Sequence, residues 1–292
     1  VLQLQIENCH RDDVEQLSIA LEEHHALSIT LTDKHDDPIL EPELGTTPLW
    51  PNVVLHALYA EKHAADCALQ SLSADFPNLR YSLQELPEQD WERVCMDDFK
   101  PQQFGHRLWI CPSWLTPPDS EAVNLILDPG LAFGTGTHPT TTLCLTWLEQ
   151  ANLHSKTMID YGCGSGILAL AALKLGAMHV DAVDIDQQAL LATQNNAITN
   201  GIPKAQLTIG YPEQLETSVD LLIANILLTP LIQLQSQFNQ LLKNKGTLVV
   251  SGILSEQAND LIIAYHPHFK HISTETRDGW SLLVFSSRCD FQ

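Results

Sequence analysis

A chain of 292 residues, 44% of them hydrophobic, holds enough apolar material for two packed domains. Its 15 basic residues face 36 acidic ones, and the net charge of −21 argues against duplex nucleic acid as the main partner and for a basic protein, where it does more than keep the chain soluble. The seven cysteines include no Cys-x-x-Cys pair, which argues against a zinc site or a disulfide framework and fits free thiols in a reducing cytosol.

Leu2 to Ile6 alternates apolar and polar residues, as a half-buried strand does. It has no basic flank or long apolar run, so a cytoplasmic chain with neither signal peptide nor membrane helix is expected. Asp12-Asp13 opens a helix that places Val14, Leu17, Ala20 and Leu21 on one face, and two acids suit its positive end. A strand over Leu27 to Thr32 follows, then a polar, proline-rich loop from Asp36 to Pro51. A strand over Val53 to Ala60, a helix over Ala64 to Phe76 and a strand over Tyr81 to Leu86 complete a βαββαβ order. That order predicts a small ferredoxin-like α+β domain over residues 1–88. Residues 89–121 read as a connector, and most of its aromatics Trp91, Phe99, Phe104, Trp109 and Trp114 are expected to pack it onto a domain, with one or two as candidates to line a pocket.

From residue 122 to 292 apolar strands alternate with helices. Strands are expected over Val123 to Leu127, Met158 to Asp160, His179 to Ile185, Gln206 to Ile209, Leu221 to Ala224 and Thr247 to Ser251. Helices are expected over Pro139 to Ala151, Ile167 to Leu175, Gln187 to Asn200, Thr229 to Leu242 and Glu256 to Tyr265. Strands near His271 to Glu275 and Leu282 to Phe285, joined by a turn at Asp278-Gly279, close the chain. The pattern predicts an α/β domain: an open parallel sheet, helices on both faces, and an antiparallel pair at one edge.

Two motifs carry the chemistry. Asp160-Tyr161-Gly162-Cys163-Gly164-Ser165-Gly166 follows a strand and precedes a helix, where glycines let backbone approach a ligand. Asp184 ends the next strand, 22 positions after Gly162, where an acid can accept hydrogen bonds from ribose hydroxyls. A dinucleotide site calls for Gly-x-Gly-x-x-Gly. Here the spacing is Gly-x-Gly-x-Gly, with an acid two residues ahead that would suit an amino group better than a phosphate. The second motif runs from Leu127 to Thr141 and reads LDPGLAFGTGTHPTT. Its glycines can wrap a ligand, Thr137 or His138 can cap the next helix, and that helix end can hold a carboxylate.

The glycine motif resembles the first motif of class I methyltransferases, whose Rossmann-like fold is a seven-stranded sheet with an antiparallel edge pair. The second motif, with Trp91-Glu92-Arg93, Arg107-Leu108-Trp109-Ile110-Cys111-Pro112-Ser113-Trp114 and Asn225-Ile226-Leu227, resembles the PrmA family of bacterial methyltransferases that act on ribosomal protein L11. The resemblance spans nearly the whole chain. It implies methyl transfer from S-adenosylmethionine to lysine side chains and the N-terminal amine of that protein, with the N-terminal domain recognising the substrate. Cofactor contacts would fall on Thr141, Gly162, Asp184 and Asn225, joined by Asp160, Gly164 and Gly166 of the loop. Cys95 stands where the family often has a second tryptophan. A class I methyltransferase for another protein or small molecule is the alternative, and a non-catalytic assembly factor a more distant one.

Asn225, at the end of its strand, is the candidate to orient the incoming amine or the cofactor. His138 is either a proton acceptor or a helix cap. His266-Pro267-His268 with His271 reads as a surface turn, so no metal is expected. A monomer is expected.

Overall fold

The computed structural model describes residues 1–35, 47–86, 99–128 and 136–288. Trp91-Glu92-Arg93, Cys95, most of the expected Asp36 to Pro51 loop and the centre of the second motif lie outside them. The chain divides into two compact units, Val1–Cys95 and Met96–Gln292.

The first unit runs β1 (Leu2–His10), α1 (Val14–Glu23), β2 (Ser28–Asp33), β3 (Asn52–Tyr59), α2 (Lys62–Asp75), β4 (Arg80–Glu85). Its sheet has the order β2-β3-β1-β4, and every neighbouring pair is antiparallel. Alternation decides which face is covered. Leu4 and Ile6 of β1 and Val53, Leu55, Ala57 and Tyr59 of β3 are buried against Val14, Leu17 and Leu21 of α1 and Ala65, Ala68 and Leu72 of α2. The opposite face is polar. Gln84 Nε2 donates to Gln3 Oε1 at 3.3 Å, Gln3 Nε2 lies 2.6 Å from His56 Nδ1, and His56 Nε2 lies 3.1 Å from Thr32 Oγ1, so one hydrogen-bonded row crosses all four strands.

The second unit begins with a small sheet of β5 (Gln102–Phe104), β6 (Leu108–Cys111) and β7 (Val123–Ile126), in that order. Two sequence expectations change here. The stretch read as connector carries β5 and β6, and Val123–Ile126 joins them rather than the large sheet. The cause is packing. Phe104, Leu108, Ile110 and Leu125 bury in the same cluster as Leu143, Cys144 and Leu170. Arg107 fixes the hairpin from outside, since its Nε donates to Glu149 Oε1 at 3.1 Å and its terminal nitrogen to the Glu149 carbonyl at 3.0 Å.

The rest of the unit comprises α3 (Pro139–Gln150), β8 (Thr157–Tyr161), α4 (Ile167–Lys174), β9 (His179–Val183), α5 (Gln187–Thr199), β10 (Leu207–Gly210), β11 (Val219–Asn225), α6 (Leu228–Leu241), β12 (Leu242–Leu254), α7 (Ala258–Tyr265), β13 (Phe269–Arg277) and β14 (Trp280–Ser287). Seven strands form a sheet ordered β10-β9-β8-β11-β12-β14-β13. The first five are parallel, and β14 runs antiparallel to both its neighbours. The α/β fold with an antiparallel edge pair is therefore as expected.

Both faces of this sheet are covered, and the strands show it residue by residue. Leu221 and Ile223 face one core with Val249, Leu282 and Val284, while Leu222 and Ala224 face the other with Leu248, Val250, Leu283 and Phe285. The first core is closed by α3 and α4, the second by α6 and α7. Every residue of α4 from Ile167 to Leu173 is buried, as its all-round apolar sequence predicts. In the second core Phe238 meets Tyr161 edge to face with centroids 5.1 Å apart, and Tyr265 donates its hydroxyl to the Leu231 carbonyl at 2.9 Å. Phe238→Ala is expected to destabilise the protein by about 3–5 kcal/mol in urea denaturation, because α6 leaves the cavity little room to collapse. A loss under about 1 kcal/mol would show that the second core repacks.

Candidate active site

Parallel strands place their carboxyl ends on one edge, and the crevice opens where strand order reverses, here between β8 and β11. The glycine loop leaves β8 at this crevice. Gly162, Gly164 and Gly166 have φ of +80°, +55° and +77°, the left-handed region that glycine enters without strain. Gly162 N and Cys163 N donate to the Val183 carbonyl at 2.8 and 3.0 Å, which ties the loop to the end of β9.

Asp184 follows directly. Its Oδ2 accepts from Gly164 N at 2.9 Å and its Oδ1 from Asp186 N at 3.0 Å. A carboxylate has about four acceptor sites. Two such bonds fix Asp184 and leave lone pairs for ribose hydroxyls. The loop is also held from α5, a support the sequence reading missed. Thr193 Oγ1 donates to the Gly164 carbonyl at 3.0 Å and Asn196 Nδ2 to the Ser165 carbonyl at 2.8 Å, while Asn200 at the helix end ties down β7 instead, pairing with both N and O of Ile126 at 2.7 Å. The spacing of these three polar residues is the signal that was available, since it puts them on one helix face.

Asp160 is fully buried in β8. Its Oδ2 accepts from Ala169 N at 2.9 Å in the first turn of α4, and its Oδ1 has no partner. Burial raises its pKa from 3.8 to about 7, against the Ala169 hydrogen bond and with help from the Asp184 charge. Across the crevice Asn225 ends β11. Asn225 Nδ2 points to Thr141 Oγ1 at 3.5 Å, and its buried Oδ1 has no partner. Thr141 is itself buried in the first turn of α3.

His138 is the N-cap of α3. Its Nδ1 accepts from Thr140 N at 3.3 Å and lies 2.7 Å from Thr140 Oγ1, while the ring meets Trp280 edge-on at 4.7 Å. Burial lowers its pKa, so the imidazole is neutral at neutral pH. The geometry is that of a cap, with Nδ1 already committed as an acceptor. Ile226 explains how the crevice closes. A Cβ on Gly162 would stand 2.5 Å from Ile226 Cγ2, and one on Gly252 would stand 2.4 Å from the Ile226 carbonyl oxygen. Neither Gly252 nor Trp280 was identified from the sequence, because no local pattern announces either contact. Among the described residues no three metal-binding side chains converge.

The residues present fit S-adenosylmethionine. A glycine loop, the Asp184 carboxylate held by two backbone N–H groups, and two buried oxygens without partners, on Asp160 and Asn225, stand at the carboxyl ends of the neighbouring strands β9, β8 and β11. A Gly162→Ala chain must place a Cβ against Ile226 at positive φ. It is expected to stay folded and to bind S-adenosylhomocysteine at least about tenfold more weakly by calorimetry. Unchanged affinity would show that Ile226 yields. Asp160 gives a second test. Its unfolded carboxyl ionises near 3.8 and its native one near 7, so its contribution to stability is full below about pH 4 and is lost as pH rises to about 7. Asp160→Asn removes that loss, so its stability relative to the parent is expected to rise between about pH 4 and about pH 7 and to level off above. A constant difference across that range contradicts the assignment.

Comparison with known proteins agrees with this architecture. The family model described as ribosomal protein L11 methyltransferase (PrmA) matches residues 1–288. A relative from Legionella pneumophila (strain Corby) named ribosomal protein L11 methyltransferase is 62% identical over 286 residues, 98% of this chain and 99% of that protein. One of the same name from Nitrosococcus oceani is 50% identical over 277 residues, 93% of this chain and 94% of that protein. Among solved structures, a ribosomal protein L11 methylase from Lactobacillus delbrueckii subsp. bulgaricus is 32% identical with a TM-score of 0.61, covering 65% of this chain and all of that one. With a match that extends from the first strand through the glycine loop to the closing hairpin, the chain belongs to the ribosomal protein L11 methyltransferase (PrmA) family.

Proposed function

We propose that this protein transfers methyl groups from S-adenosylmethionine to lysine side chains and the N-terminal amine of ribosomal protein L11. The observation that carries this reading is the pairing of a nucleoside-type cradle with an amide oxygen that lacks a partner, the buried Oδ1 of Asn225. The names of the full-length relatives supply the substrate.

When bound, S-adenosylmethionine supplies an electrophilic methyl group on a sulfonium. The chain's residues position and desolvate. Asp184 accepts the ribose hydroxyls, and the loop at Gly162, Gly164 and Gly166 admits the cofactor at backbone distance. Thr141 and Asp160 flank the methionine end. Asn225 Oδ1 accepts one N–H of the incoming amine, which leaves the nitrogen lone pair free to face the methyl group. A free lysine amine has a pKa near 10.4, and transfer into an apolar crevice lowers it, so the proton leaves to water before transfer. His138 shapes the start of α3 and takes no proton in this scheme, in keeping with its capping bond.

The first unit reads as the ferredoxin-like substrate-recognition domain, a reading its element and strand order support. We assign recognition to 1–88 and catalysis to 122–292, and β5 and β6 of the intervening stretch pack in the core closed by α3 and α4. A net charge of −21 suits a basic protein substrate. No helix of the described residues is long and apolar enough to cross a membrane, and we place the protein in the cytoplasm as a monomer.

The test is a methylation assay with labelled cofactor and purified, unmethylated ribosomal protein L11, read by intact mass. Stepwise additions of a methyl mass are expected. Asn225→Ala should slow turnover about a hundredfold while cofactor affinity stays within about threefold. No addition to the ribosomal protein, with cofactor bound, overturns the substrate. Near-normal turnover of Asn225→Ala overturns its role.

A further inference from the structure

A cavity of about 510 Å³ lies at the edge of the large sheet opposite the methyl-transfer crevice. Its walls come from the amino ends of the strands. Lys156 immediately precedes β8, Asp220 is the second residue of β11, and Lys243 and Lys245 lie at the start of β12. Trp147, from the last turn of α3, forms an apolar wall.

This cavity is cationic in a strongly acidic protein. Three of the chain's 15 basic residues line it, against one carboxylate. That carboxylate is committed: Asp220 Oδ2 accepts from Thr157 N and Thr157 Oγ1 at 2.9 Å and from Lys243 Nζ at 3.0 Å. Among the described residues neither Lys156 nor Lys245 pairs with a carboxylate. Helix dipoles do not explain these lysines, because neither α3 nor α6 has a basic residue in its last turn. The turn that carries two of them is constrained. Lys245 has φ +62°, unusual for a residue with a side chain, and a Cβ on Gly246 would meet the Lys243 carbonyl oxygen at 2.8 Å. The same edge of the sheet also bears Lys270 at the start of β13 and Arg288 just after β14. Salt screens the acidic remainder of the surface beyond about 8–10 Å, so an anion in the cavity meets chiefly these cations.

An aromatic wall beside ammonium groups recognises a flat ring that carries a phosphate. The volume is that of a small-molecule site. We infer that this cavity binds a nucleotide, its base against Trp147 and its phosphate between Lys156 and Lys245. The nucleotide comes either free or as part of single-stranded RNA. Duplex RNA or DNA is excluded by the cavity's form, since a stacked, paired base cannot reach Trp147.

The probe is uridine 5′-monophosphate, added to the full chain with saturating S-adenosylhomocysteine so that the cofactor crevice is filled. Intrinsic tryptophan fluorescence is the readout, with Trp147→Phe assigning the change to one of the six tryptophans. Saturable quenching is expected, lost in Trp147→Phe, whose binding, expected to be weaker, is read by calorimetry, and shifted at least about tenfold to higher concentration in the Lys156→Glu, Lys245→Glu double variant. Both lysines are exposed, so the variants should fold, and unaltered methylation rates would verify it. Tighter binding of a short oligouridylate than of the mononucleotide identifies single-stranded RNA as the source. Comparable or weaker binding identifies the free nucleotide. The inference is overturned if quenching does not saturate by about 10 mM, or if inorganic phosphate competes as well as the nucleotide and Trp147→Phe binds normally.

Discussion

The site depends on how closely the segment after β11 approaches the loop after β8. Ile226 lies where the side chains of Gly162 and Gly252 would stand, so three stretches of backbone converge at one point. This convergence brings Asn225 to the glycine loop and turns its amide toward Thr141. A methyl group at either glycine would force the segments apart. The surrounding sheet, buried on both faces, offers no slack to absorb the movement.

The loop itself is held by polar bonds, since glycine supplies no side chain to pack. Val183 anchors its start, Asp184 its middle, and Thr193 and Asn196 its carbonyls. These bonds preorganise a surface that accepts a cofactor without reordering. Asp160 stands in contrast. A fully buried carboxyl with one hydrogen bond and a raised pKa costs stability, and a protein keeps such a group where function needs it. The partnerless oxygens of Asp160 and Asn225 belong to strands that are neighbours in the sheet, which is why the two orphan atoms share one crevice.

Charge is distributed as unevenly as polarity. The carboxyl edge of the large sheet carries Asp160, Asp184 and Asp186, and the amino edge carries the lysines of the second cavity. A bound sulfonium is a cation, and it meets the acidic edge. In the first unit, the open face of the sheet bears its own ordered row from Gln84 through Gln3 and His56 to Thr32. Burial lowers the pKa of His56. With Gln3 donating to Nδ1, the neutral ring donates from Nε2 to Thr32, so the row has one direction.

Local chemistry was legible wherever it has a period or a composition. Alternation at Leu4 and Ile6, the all-apolar Ile167 to Leu173, and the glycines after Asp160 each stated their structure without help. Short strands were not legible. Four residues at Leu108–Cys111 give too little periodicity to separate a strand from an aromatic connector, and the parallel partner β7 begins only at Val123, beyond the irregular stretch 112–122. The sequence by itself determined the two-unit order and the parallel sheet with its antiparallel edge, and it marked the glycine loop and Asp184 that the fold brings together, because these follow from side-chain type and spacing along one chain segment. Only the tertiary structure decided that His138 caps α3 beside Trp280, that Thr193 and Asn196 brace the glycine loop, that Ile226 sits between two glycines, and that Lys156 lines one cavity with the distant Lys243 and Lys245. Those are contacts between segments, and they are set by which strands become neighbours, a property no local window of sequence contains.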